Sequence, residues 1–143
     1  MYELARRQSG GPVALKDIAD SQGLSLNYLE QLFRPLRRAG LVLSTRGVHG
    51  GYVLGREPDS ITVGDVVRVL DGPIAPSDCV LHGAEGEDRC DMSSSCVARG
   101  VWEKVRDAVE VVLDGISLES LLASGDNAPE TGERVVPAKE RKC

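Results

Sequence analysis

Three of the four cysteines, Cys79, Cys90 and Cys96, lie within eighteen residues of one another, the densest cluster of reactive side chains in the chain. Deprotonated sulfur is a strong, soft ligand, so three thiolates in one segment suit an iron-sulfur cluster or a zinc ion. Softness alone does not choose between them, and unmetallated redox thiols are a third reading. His82, in the same segment, would complete a Cys3His zinc site, although a loop histidine is more often simply solvated. Asp88 and Asp91 read as loop solvation. With three cysteines in the loop, at least one coordination position of a cluster falls to a non-cysteine group, which favours lability and sensing over a purely structural role. Cys143, in a polar, proline-containing tail, reads as incidental.

A second set of residues has the chemistry of base recognition. Asn27 and Gln31 stand one helical turn apart, and each amide can make paired hydrogen bonds to adenine in the major groove. Ser25, Tyr28, Glu30 and Arg34 share the same short segment. Further on, Arg46 and His49 lie in a glycine-rich connection, where an arginine can reach phosphates or a narrow minor groove. Catalysis is a poor rival reading. There is neither a phosphate-cradling glycine loop nor a nucleophile elbow, and the two histidines, His49 and His82, sit in predicted loops.

These residues need elements to hold them. Leu15 to Ser21 has helical periodicity, Gly23 breaks it, and Ser25 is placed to cap a second helix by accepting a free backbone N–H. In that helix Leu29, Leu32, Phe33 and Leu36 share one apolar face, which leaves the polar readers outside. Small Ala19 permits close helix approach, and Ile18, Leu24, Leu29 and Leu32 are expected to fill the shared core. Pro35 predicts a kink or an early end because it cannot donate to the carbonyl of Gln31. Gly40 terminates the helix. Leu41 to Ser44 and Tyr52 to Leu54 read as strands flanking the glycine-rich connection, a wing. Thr62 to Asp65 resembles a capping box with Asp in place of Glu. A helix from about Val97 to Asp114 turns Val101, Val105, Ala108, Val109, Val112 and Leu113 to one side and therefore wants a partner. Ser117 is placed to cap a last helix over Leu118 to Ala123.

The chain of 143 residues suits one compact domain with an appended element, and its 3% aromatic content favours packed helices over a large sandwich. The expected division is residues 1–72 as the reading head, 73–96 as the cysteine loop, 97–123 as the dimerisation region and 124–143 as a disordered tail. Net charge is -5, yet residues 1–56 hold eight Lys/Arg against four Asp/Glu and the remainder nine against eighteen. Phosphate attraction depends on the local surface, so a polyanion-binding first half is permitted. No stretch approaches the roughly 20 apolar residues of a membrane span, and residues 1–7 lack the apolar centre of a signal peptide. A cytoplasmic chain without a membrane partner is expected.

The run Val13 to Phe33, with Tyr-Leu-Glu-Gln-Leu at 28–32, then Leu36-Arg-Arg-Ala-Gly-Leu-Val and Arg46-Gly-Val-His-Gly-Gly-Tyr, resembles the family of IscR, NsrR and RirA. The similarity continues through Ile61-Thr-Val-Gly-Asp-Val and the cysteine loop, over about residues 2–123. The resemblance implies a mainly α winged helix-turn-helix with a small β-hairpin wing and a long C-terminal dimerisation helix. It also implies a homodimer on a palindromic double-stranded DNA operator, sensing iron, nitric oxide or redox state through an iron-sulfur cluster. By position, Ser25, Asn27, Tyr28, Glu30, Gln31 and Arg34 fall on the DNA-reading segment, Arg46 and His49 on the wing, and Cys79, Cys90 and Cys96 on the cluster ligands. The five residues between Cys90 and Cys96 match the family, whereas the ten between Cys79 and Cys90 exceed its usual spacing. Cluster type, 2Fe-2S or 4Fe-4S, stays open. The position of a histidine ligand found in one branch is Arg99 here. The alternative to a cluster is a zinc-bound or cluster-free winged-helix regulator acting through a protein partner.

Overall fold

The structure is a computed structural model that describes residues 1–47, 50–77, 80–81 and 96–125. Its helices are α1 (Tyr2–Arg7), α2 (Leu15–Gln22), α3 (Leu26–Arg38), α4 (Val63–Asp71), α5 (Val97–Asp114) and α6 (Leu118–Gly125), with one hairpin of β1 (Val42–Thr45) and β2 (Gly51–Leu54). The fold is mainly α, with helix-turn-helix followed by a wing. Among the described residues, no helix is long and apolar enough to cross a membrane.

The turn between α2 and α3 is made by Gly23, whose φ of 65° is left-handed, a region that glycine enters without Cβ strain. Ser25 then caps α3, its Oγ accepting from the Tyr28 N–H at 3.2 Å. The apolar face of α3 buries Leu29, Phe33 and Leu36 against Leu15, Ile18 and Ala19 of α2. Leu24 does not join this core as expected. It is 43% exposed, because the left-handed turn carries it off the helical period that aligns the other leucines. Leu32 is only half-buried at the edge. Pro35 does not end the helix, which continues to Arg38 with Ala39 donating to the Pro35 carbonyl at 3.0 Å. Gln31, whose carbonyl loses its helical donor, is exposed to water that can replace it.

The hairpin pairs antiparallel, with Val42 opposite Leu54 and Thr45 opposite Gly51. Val13, just before α2, extends it by two backbone bonds to Tyr52 of 2.9 and 2.8 Å. Gly51 permits this approach, since any Cβ there would strike the Val13 carbonyl. Tyr52 in turn meets Phe33 edge to face, with centroids 5.0 Å apart. The wing is thus fastened to α3 by an aromatic pair.

The helices outside this motif close the core. α1 contributes Leu4 and Ala5, and α6 contributes Leu118 to the same cluster. Glu3 is buried but receives Arg6 Nη2 at 2.8 Å and Arg7 Nε. The Arg6 hydrogen bond holds its carboxyl below the ordinary range, reinforced by Arg7. The Thr62/Asp65 capping box starts α4 as the sequence indicates. An isolated bridge joins Thr62 to Ser117, so the end of α5 returns to the body beside the start of α4. Ser117 Oγ accepts from the Ser120 N–H at 3.1 Å, the cap expected for α6. That helix runs on to Gly125, two residues beyond its expected end at Ala123. The rest of the tail, like His82, Asp88 and Asp91, lies outside the described residues.

Phe33 both fills the core and fastens the wing. Phe33→Ala is expected to cost about 3 to 5 kcal/mol, as large aromatic truncations in cores do. Urea unfolding followed by circular dichroism checks this, and a loss below about 1 kcal/mol would contradict the central position given to this ring.

Candidate nucleic-acid interface

A helix advances about 100° per residue, so with Leu29, Phe33 and Leu36 inward, Asn27, Gln31, Arg34 and Arg38 centre on the opposite face. All four are exposed. Tyr28 lies on the flank away from the wing and is half exposed. On the other flank Leu26, Glu30, Arg34 and Arg37 descend one side of an open groove of about 450 Å³. Its other sides are the start of α2 (Ala14, Leu15, Lys16) and the base of the wing (Gly50, Gly51, Tyr52). Ala14 provides no side-chain cap for α2, so the N–H groups ahead of Asp17, whose own N–H donates to the Ala14 carbonyl, are available to an anion near Lys16.

Among the described residues, most cations without an ion pair gather on this face, Lys104 of α5 being one that lies elsewhere. Arg6 and Arg7 are paired to Glu3, Arg56 to Asp65, Arg68 to Asp114, Arg99 to Glu103 and Arg106 to Asp107. Lys16, Arg34, Arg37, Arg38 and Arg46 form no ion pair with any described residue. Five cations without an ion-pair partner among the described residues, on the groove, the exposed face of α3 and the wing, outnumber Glu30 there and give a basic surface on an acidic chain. Such a surface attracts a phosphate backbone whatever the net charge.

The structure therefore brings Asn27, Gln31 and Arg34 together and places Glu30 on the wing side of the same helix. Ser25 is at the edge, with its hydroxyl oxygen engaged by the Tyr28 N–H. Arg46 is exposed just beyond β1, and His49 lies outside the described residues. Sequence reasoning missed Lys16, Arg37 and Arg38. Arg38 was legible from its spacing to Asn27, Gln31 and Arg34 on the helical wheel, and Lys16 and Arg37 only from the groove that the fold creates.

Of the cluster cysteines, Cys79 and Cys90 lie outside the described residues. Cys96 is a free, half-buried thiol at the N-cap of α5, next to that helix's first-turn N–H groups. Val80, adjacent to Cys79, is 1% exposed, and its carbonyl accepts from Arg106 Nη1 at 2.7 Å. Val80 is thereby held to α5, the helix that Cys96 begins. No metal-ligand cluster occurs among the described residues.

A family model named Rrf2, described as an iron-dependent transcriptional regulator, matches residues 1–124. The chain belongs to the Rrf2 family. It is 49% identical over 130 residues to the HTH-type transcriptional regulator CymR of Bacillus subtilis, covering 91% of this chain and 86% of that one. To the HTH-type transcriptional regulator IscR of Aliivibrio salmonicida it is 43% identical over 126 residues, 88% of this chain and 72% of the relative. Among solved structures, B. subtilis CymR, described as the global cysteine regulator, superimposes with a TM-score of 0.69 over 86% of this chain and 87% of that one. IscR of T. potens does so with a TM-score of 0.70 at 42% identity, over 90% and 83%. The Rrf2 protein described here is a DNA-binding transcription regulator, not an enzyme.

Gln31→Ala should relax sequence preference by about 1 to 3 kcal/mol at one base position, the worth of a bidentate base contact. Arg46→Ala and Arg38→Ala should instead weaken binding to all sequences and lower the salt slope by about one each. Fluorescence anisotropy over a salt series distinguishes the two. Unchanged specificity in Gln31→Ala would remove it from the reading set.

Proposed function

We propose that this Rrf2 protein is a cytoplasmic homodimer that reads a palindromic operator with paired α3 helices and wings. Residues 1–72 read DNA, 73–96 sense, and 97–123 join the protomers. The observation that carries the dimer is the bare face of α5. None of its residues is buried within the chain, and Val101, Trp102, Val105, Val109 and Val112 are exposed. A groove of about 350 Å³ on it is lined wholly by Val105, Ala108, Val109, Val112 and Leu113. An amphipathic helix with an apolar face this wide is poorly soluble alone, and a second copy of the same face in twofold symmetry covers both. The DNA-contacting set is Ser25, Asn27, Tyr28, Glu30, Gln31, Arg34, Arg46 and His49, joined by Lys16, Arg37 and Arg38.

The sensing element is the thiol group of Cys79, Cys90 and Cys96, which would hold an iron-sulfur cluster. What fits is the donor set, three soft sulfurs, together with the half-buried Cys96 at the positive end of α5, where a thiolate is well placed. Bound there, a cluster supplies redox chemistry in a segment that lies, in sequence, between the reading head and the joining helix. The chain's own part is to hold the ligands. Cys96 is fixed by the start of α5, and the neighbour of Cys79 is fixed by Arg106. A cluster-free thiol regulator is the second reading, favoured by the 49% identity to a relative described as a global cysteine regulator.

Val105→Glu or Val109→Glu should turn the dimer into monomers in light scattering at micromolar concentration. A monomeric wild type would refute the dimer. Protein prepared without air should be coloured and contain iron and sulfide. Cys90→Ala or Cys96→Ala should then abolish the colour and the response of DNA binding to oxidant or nitric oxide, while Cys143→Ala leaves both intact. Colourless protein whose DNA binding still answers to thiol oxidation would favour the second reading. Stoichiometric zinc with oxidant-independent binding would overturn the sensing role.

A further inference from the structure

The junction of α4 and α5 contains a residue set whose local chemistry runs against its own helix. Asp114 is the last residue of α5, whose final turn carries no basic residue, and a carboxylate there faces the negative end of the helix dipole. It is unfavourable for α5 by itself. Its partner is in a different element: Arg68 of α4 donates from Nη1 to Oδ1 and from Nη2 to Oδ2, both at 2.7 Å, a planar two-bond clamp. The clamp is possible because residue 64 in the first turn of α4 is glycine. A Cβ there would overlap Asp114 Oδ1 and lie 2.9 Å from Arg68 Nη1. Two backbone bonds lie alongside, Val63 N to Ile116 O at 2.8 Å and Leu118 N to Ile61 O at 2.9 Å. A residue that breaks a local rule and is compensated only by a distant partner marks a geometry that the fold must keep.

That geometry is the angle at which α5 leaves the reading head. With 18 residues α5 is about 27 Å long, and a tilt of about 10° at its clamped end swings the other end by about 5 Å. One base-pair step is about 3.4 Å. In a dimer joined through α5, such a tilt alters the separation of the two α3 helices by about the width of a base pair or more. We infer that Arg68, Asp114 and Gly64 are positioning residues that set the half-site spacing the dimer accepts. This rests on the dimeric reading proposed above. None of the three residues lies on the α3 face, and none lines the groove beside it.

The test uses the full chain. Wild-type protein first selects its preferred sequence from a randomised duplex pool, and palindromes of that sequence are then made with the half-site separation varied by one base pair at a time. Wild type should favour one separation by about tenfold over its neighbours, the usual cost of one misplaced base pair or more. Asp114→Asn and Gly64→Ala should flatten that preference to about twofold, and Arg68→Lys, which keeps the charge but not the planar clamp, should fall between. Affinity for a single half-site, helical circular dichroism and dimer mass should stay at wild-type values. A partly exposed ion pair contributes little to folding, so Asp114→Asn tests the idea even if Gly64→Ala folds poorly. Variants that keep the wild-type spacing preference, or that lose single half-site binding in proportion, overturn the inference while leaving the dimer standing. A wild type with no spacing preference and the mass of a monomer overturns the dimer itself.

Discussion

Burial of the apolar face of α3 is the constraint on which the rest of the molecule depends. Leu29, Phe33 and Leu36 must be covered, and covering them fixes which side of a 13-residue helix meets solvent. The cover is assembled from distant parts of the chain: Leu15 and Ile18 of α2, Leu4 of α1, Ile61 before α4 and Leu118 of α6. In a chain with a single phenylalanine, the Phe33 ring has two duties, filling this core and meeting Tyr52 at the base of the wing. Asn27, Gln31, Arg34 and Arg38 are presented outward as a consequence of what the helix buries.

Electrostatics then divides the surface. Arg56, Arg68, Arg99 and Arg106 are paired with carboxylates of their own neighbourhood, whereas the cations on α3, at the start of α2 and beside the wing have no such partner among the described residues. The pairs on the far side are partly exposed and worth little to stability. Their effect is to lower positive potential on those surfaces, so that the cations of α3, α2 and the wing stand out as a basic face on an acidic protein. Net charge and local potential give opposite answers, and the local one governs binding.

Much of this was legible in the sequence because it rests on short-range rules. The Ser25 cap, the Gly23 turn and the Thr62/Asp65 box each involve residues within three or four positions of one another. The bounds of α5, Val97–Asp114, follow from one uninterrupted apolar period. What was missed depends on contacts between distant residues. Leu24 looked like core by composition, but the turn geometry turns it outward. Pro35 pointed to a kink or an early end, but the helix continues past it, and the carbonyl it abandons is on the solvent side, where water substitutes at small cost. The groove residues Lys16 and Arg37 become a site only after Val13 pairs with Tyr52 and brings the wing beside α2. The Arg68 and Asp114 pair spans 46 positions, and no pattern within either helix announces it.

The attachment of α5 shows how the fold divides stability from geometry. A helix with no residue buried in its own chain gains little from that chain's core, so its orientation relative to the reading head rests on a few directional contacts. Among the described residues those include the Arg68 clamp, the Thr62 and Ser117 bridge, and the Arg106 bond to the Val80 carbonyl. Hydrogen bonds and exposed ion pairs are individually weak but strict in angle and distance. An interface held by broad apolar burial would fix the angle at a large energetic cost to any change, whereas one held by a few polar contacts has a defined angle and a low cost of altering it. Arg106 sits midway along α5 and bonds the Val80 carbonyl, whereas Cys96 starts the helix at the end farthest from the clamp. Leverage along the helix is greatest for a displacement applied there.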